Sequence, residues 1–179
     1  MSIFFSSDHH FGHTNVIKYC GRPFGSAEEM DEAMILAWND KVARNDVVYH
    51  LGDFCFGSTQ TIKAIRSRLN GKIHLIKGNH DYKWQSSAFL AFDSVENLRQ
   101  IKMDNQTIVL CHFPLLSWNK SYHGSWHLNG HSHATIPFDP AIKRLDVGVD
   151  GHPDFAPYSF DEIKTIFENP DGFQYTKRI

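Results

Sequence analysis

The chain has 179 residues, of which 41% are hydrophobic and 21% charged, and its formal net charge is -2. That length suits one domain spanning residues 1–179 with a proper core, and the charge lacks the basic footprint of a dedicated nucleic-acid binder. No apolar run approaches the ~18 residues that span a bilayer, and the start Met1-Ser2-Ile3-Phe4-Phe5 lacks the features of a signal peptide. Three cysteines, Cys20, Cys55 and Cys111, without C-x-x-C spacing point to reduced thiols in a cytoplasmic compartment.

Taken in order, residues 3–6 read as a strand, followed by a loop carrying Asp8, His9, His10 and His13. Residues 14–18 suggest a short helix, and residues 21–25 a loop containing Arg22 beside Pro23. Ser26 and Glu29 form a capping-box pattern, and Met30, Ala33, Met34, Ala37, Trp38 and Val42 then recur at helical spacing. A strand at 47–51 delivers Gly52-Asp53. Ser58 or Thr59 caps a second helix, with Ile62, Ile65 and Leu69 inward and Lys63, Arg66 and Arg68 on a solvated face.

The apolar run 73–76 predicts a buried strand leading into Gly78-Asn79-His80-Asp81, poor core material but good material for holding a cation and moving a proton. A third helix is predicted near 84–91, and two antiparallel strands at 95–103 and 106–111 join through Asp104-Asn105. His112 ends the second of these. Residues 115–125 read as a loop with Trp118, Tyr122 and His123, either packing on the domain or walling a pocket. Strands at 126–129 and 144–150 follow, the first leading to Gly130-His131-Ser132-His133. A helix at 159–167 and an edge strand within 172–179 complete the chain.

The polar clusters Asp8-x-His10, Gly52-Asp53, Gly78-Asn79-His80-Asp81, His112 and Gly130-His131-x-His133 each follow an apolar, strand-like run. Open α/β sheets place sites at the carboxyl ends of their strands, so five such loops can converge. Glycines beside them let the backbone turn and approach without a Cβ clash. Carboxylates, imidazoles and an amide oxygen are ligands for divalent metals, with no thiolate required.

These five blocks, in this order, resemble the calcineurin-like metallophosphoesterase superfamily. The opening Asp8-His9-His10-Phe11-Gly12-His13, Arg22-Pro23-Phe24 and Leu51-Gly52-Asp53-Phe54 resemble its compact bacterial and phage members. The resemblance implies an α/β fold, a two-sheet β-sandwich flanked by helices. It implies two divalent transition-metal ions (Mn, Fe, Zn, Ni or Co, with manganese favoured), one held by Asp8, His10, Asp53 and His133. Asp53, Asn79, His112 and His131 would hold the other, with Asp53 bridging. The activity implied is hydrolysis of a phosphate ester by a metal-activated hydroxide, His80 serving the leaving oxygen and Asp81 orienting His80. The expected partner is a small phosphodiester or nucleotide substrate. A phosphomonoesterase or protein phosphatase is the alternative, and a non-catalytic scaffold the more distant one. Cys111 stands where many relatives have glycine, and no cap domain is inserted.

Smaller expectations concern residues near the blocks. His13 contacts phosphate or steadies its loop, and Arg22 is either an exposed loop residue or a phosphate clamp. Cys55 and Cys111 are small buried residues, His9 is a bystander and Asp150 a turn or hydrogen-bonding residue.

Overall fold

The strands β1 (Ile3–Ser6), β2 (Val47–His50), β3 (Lys72–Ile76) and β4 (Ser94–Glu96) run parallel in the computed structural model, which describes residues 1–176. A second sheet holds β5 (Leu98–Met103), β6 (Gln106–Cys111), β7 (Trp126–Asn129) and β8 (Arg144–Asp146), in that order. Here β5 is antiparallel to β6, while β6, β7 and β8 are parallel. The short β9 (Tyr158–Ser159) joins the first sheet antiparallel to β1.

The first sheet is apolar on both faces, so both must be covered. Phe4, Val48, Ile73 and Leu75 pack on one side with Met30, Met34, Trp38, Ile62 and Ala88. Those partners come mainly from α2 (Ala27–Lys41), α3 (Thr59–Arg68) and α4 (Ser86–Phe89), with Val16 added by α1 (Thr14–Tyr19). Phe5, Tyr49 and Ile76 face the second sheet, meeting Ile108, Leu110, Leu128 and Leu145. Phe160, Ile163 and Phe167 of α5 (Phe160–Glu168) join this inter-sheet core. The expected α/β architecture, two sheets flanked by helices, is therefore present. No described helix is long and apolar enough to cross a membrane.

Local chemistry explains most boundaries. Ser26 accepts from the Glu29 N–H, but the Glu29 carboxylate reaches one residue beyond the usual box, to the Gly25 N–H at 2.7 Å. Ser58 is the cap of α3, and Ser159 with Glu162 forms a complete capping box on α5.

Five expectations need correction. The strand predicted over 95–103 is two strands, because the chain leaves the first sheet after Glu96 and enters the second at Leu98. The helix near 84–91 shrinks to Ser86–Phe89, and the strand predicted over 144–150 stops at Asp146. Arg66 is not simply solvated; it donates to the carbonyls of Leu69 and Gly71 and lies 3.5 Å from Asp93. The C-terminal edge strand is absent from residues 173–176, and residues 177–179 lie outside the described part.

What matters for the site is direction. Strands β1, β2 and β3 of one sheet and β6, β7 and β8 of the other are parallel sets. The loops leaving them converge where Ser7 bridges Gly148 across the two sheets. The Asp8 and His10 N–H groups donate to the Gly52 and Asp53 carbonyls, and Gly130 N–H donates to that of His112.

Candidate metal centre

Asp53 is the hub. Its Oδ1 accepts the His80 backbone N–H at 2.9 Å, which aims Oδ2 outward. That oxygen lies 3.6 Å from His10 Nε2, 3.7 Å from His112 Nε2 and 3.9 Å from His80 Nε2. On one side of it, Asp8, His10 and His133 bring donor atoms within 4.8 Å of one another. Asp8 fixes its Oδ2 on the His131 N–H, and its buried Oδ1 and the buried His10 Nε2 have no hydrogen-bond partner among the described residues. Two orphaned acceptors in a buried cluster are costly unless a cation meets them.

The other side carries a more specific sign. His112 Nδ1 donates to the Leu51 carbonyl at 2.7 Å, and burial lowers the ring's pKa, so the imidazole is neutral and Nε2 bears a lone pair. That lone pair faces Asn79 Oδ1 at 3.0 Å, and His131 Nδ1 lies 3.0 Å from the same oxygen. An amide oxygen facing an unprotonated nitrogen is repulsive by itself and favourable around a divalent cation. The donor set, imidazole nitrogens with carboxylate and amide oxygens, fits divalent cations.

The protonation states agree. Burial pushes His10 down to about 2, leaving a neutral ligand, and pushes the Asp8 carboxyl up to about 8. Burial would also lower His133, but its hydrogen bonds to Asp150 and Cys20 and the Asp8 charge prevail and raise it to about 11. Protons therefore occupy positions that a cation would compete for.

The backbone is bent to make this arrangement. Asp8, His10, Asp53, His131 and His133, five of the seven proposed ligands, have left-handed φ between 48° and 69°. Such conformations cost non-glycine residues on the order of 1–3 kcal/mol each and cluster at functional sites. Glycine provides the close approaches: a Cβ on Gly78 would lie 2.2 Å from Asp53 Oδ1, and one on Gly130 2.3 Å from Asp8 Oδ2.

Around the ligands the structure differs from the expectations. Arg22 is buried and neither exposed nor aimed at substrate. Its Nε and Nη2 donate to the two Asp150 oxygens at 2.8 and 2.7 Å, while Nη1 and Nη2 donate to the His9 and Asp8 carbonyls. Asp150 in turn accepts from His133 Nδ1 at 2.7 Å, which leaves Nε2 as the ligating nitrogen. One guanidinium thus holds two ligand loops.

Asp81 likewise does not orient the His80 ring. Its carboxylate accepts the N–H groups of Asp53, Phe54 and Gly78, and so holds the Asp53 turn. His9 is fully buried and bonded to His50 at 2.9 Å, a core role rather than that of a bystander. Cys55 and Cys111 are buried as expected.

An open cavity of about 830 Å³ lies over the ligands, lined by His10, His131 and His133 together with His13, Lys18 and Tyr19. His13 stacks on Phe56 at 4.4 Å and is thus a wall residue. Trp118 packs on His127 of the second sheet and donates to the Ser125 carbonyl, while Tyr122 is 93% exposed. That aromatic loop covers the sheet and does not line this cavity.

Comparison with known proteins identifies the family. The model of the calcineurin-like phosphoesterase superfamily domain matches residues 1–152. A protein of Methanocaldococcus jannaschii is 36% identical over 173 residues, covering 93% of this chain and 91% of the relative. The gene 66 protein of Mycobacterium phage L5 is 28% identical over 177 residues, covering 82% of this chain and 85% of the phage protein. Among solved structures, a protein of unknown function from Aquifex aeolicus shares the fold at a TM-score of 0.70 and 22% identity, covering 92% of this chain and 98% of its own. The extent of the domain match and the order of the blocks lead to one conclusion: the chain belongs to the calcineurin-like phosphoesterase superfamily, whose members are metal-binding hydrolases of phosphate esters.

Proposed function

We propose that this protein hydrolyses a phosphodiester or a nucleotide at a dinuclear centre. Asp8, His10, Asp53 and His133 hold one divalent cation, and Asp53, Asn79, His112 and His131 the other. Manganese is the favoured occupant, in keeping with a thiolate-free shell. The observation that carries this reading is the set of facing lone pairs and orphaned acceptors around Asp53 Oδ2. Bound there, the cations supply an acidified water as nucleophile and neutralise charge on the phosphoryl oxygens.

The chain's own residues do the rest. The Asp53 carboxylate is held by the His80 backbone N–H, and its own N–H donates to Asp81, which fixes the turn that carries it. His80 is 32% exposed, in contrast to the buried His10 and His112, and stands at the mouth where a leaving oxygen would be. It gives that oxygen a proton. The free cysteines are in keeping with a cytoplasmic setting.

The test uses manganese-reconstituted protein on bis-p-nitrophenyl phosphate and p-nitrophenyl phosphate. Wild type is expected to favour the diester and to lose turnover on chelation. His80→Ala is expected to slow diester turnover by ~10²–10⁴-fold with metal content retained. The distances alone bring His80 within reach of the same carboxylate as the ligands. Equal losses of metal and turnover would therefore make it a ligand. A monoester preference would shift the reading to a phosphomonoesterase.

A further inference from the structure

The cavity over the ligands has a neighbour. A second cavity, of about 630 Å³, lies across His80 and is lined by Phe56, Ser58, Gln60, Lys83 and Gln85 among others. His80 lines both cavities, and no other described residue does. The group proposed to protonate the leaving oxygen therefore stands at the junction. On the ligand side is space for the phosphate and one substituent; on the far side is space for the other.

Phe56 is the distinctive residue of the far side. It is 46% exposed, yet both its ring and its backbone have partners. One face stacks on His13 at 4.4 Å with 18° between planes, and the ring meets His80 edge to face at 5.6 Å. Its N–H donates to the Phe11 carbonyl at 2.7 Å, tying it to the loop that carries Asp8 and His10. A single exposed phenylalanine is unremarkable on a surface. One fixed by its backbone, stacked on a histidine and placed against the proposed acid offers a ready platform for a planar group. Gln60 and Gln85, which line the same cavity, carry side-chain amides suited to the edge of a base.

We infer that the cavity beyond His80 is the leaving-group subsite and that it takes a nucleoside whose base stacks on Phe56. This rests on the hydrolysis proposed above. In the step, a water oxygen bonds to phosphorus and the bond from phosphorus to the nucleoside oxygen breaks. The electron pair stays on the nucleoside oxygen, and the His80 proton completes its hydroxyl. The proton released by the water restores His80. The products are a nucleoside and a phosphomonoester that keeps the other substituent.

Calorimetric titration of adenosine into the manganese-loaded protein tests this, with ribose as control. Wild type is expected to bind adenosine and not ribose. Phe56→Ala is expected to weaken adenosine binding about tenfold or more, and Phe56→Trp to retain it. Metal content measured on each variant shows that the centre is intact. Adenosine binding that is absent, matched by ribose or indifferent to Phe56→Ala overturns the subsite. Turnover of bis-p-nitrophenyl phosphate, measured in parallel, separates the two ideas. Turnover with Phe56-independent binding removes the subsite alone, whereas Phe56-dependent binding without turnover upholds a nucleoside site and removes the hydrolysis.

Discussion

Asp53→Asn is expected to give a folded protein that has lost at least ~10³-fold in phosphodiester turnover and most of its bound metal. The estimate follows from Lewis-acid stabilisation worth several kcal/mol, at about 1.4 kcal/mol per tenfold in rate. Asparagine can still accept the His80 N–H through its amide oxygen, so the turn has a way to survive. It cannot present a second anionic oxygen to His10 and His112 together, and that is where Oδ2 now points. Far-ultraviolet circular dichroism, metal analysis and turnover on one preparation would check it. Near-normal metal content and activity would show that Asp53 does not bridge.

The second large effect concerns stability as much as chemistry. Arg22→Met removes the guanidinium from the buried Asp150 carboxylate, and breaking such a pair costs about 3–5 kcal/mol. That is a large share of the roughly 5–15 kcal/mol that holds a typical domain together. Arg22→Lys is expected to rescue little, because one ammonium cannot reproduce the fork that serves Asp150, Asp8 and His9.

The double variant Arg22→Met/Asp150→Leu is expected to recover stability, since the buried carboxylate that loses the guanidinium is itself removed. Its metal affinity should stay ~10–100-fold low, since His133 has lost the group that orients it. Urea denaturation and manganese titration read the two effects separately. An Arg22→Met protein that unfolds at the wild-type midpoint would contradict the account.

How much of this was legible in the sequence depends on the range of the interaction. The ligand blocks announce themselves because each is a short polar cluster placed by an apolar strand and next to a glycine, all local features. Arg22 and Asp150 are 128 positions apart, and nothing around either names the other. A lone arginine beside a proline reads as surface until the fold closes over it.

The split of the 95–103 strand has the same origin. The local pattern suits extended backbone throughout, and only the tertiary choice of partner sends Ser94–Glu96 to one sheet and Leu98–Met103 to the other. The sequence marks Asp81 as a site residue, but its role is set by which donors the turn presents: the backbone N–H groups of Asp53 and Phe54, 28 and 27 positions away. The left-handed backbone at five ligands was invisible, since aspartate and histidine do not advertise it as glycine does.

The most direct test of the dinuclear centre is a titration of metal-stripped protein with manganese, following bound metal per chain and diester turnover together. The account predicts binding that saturates at two equivalents, with full turnover reached only at the second and abolished by chelation. Full turnover at one equivalent, or none after two are bound, would contradict it.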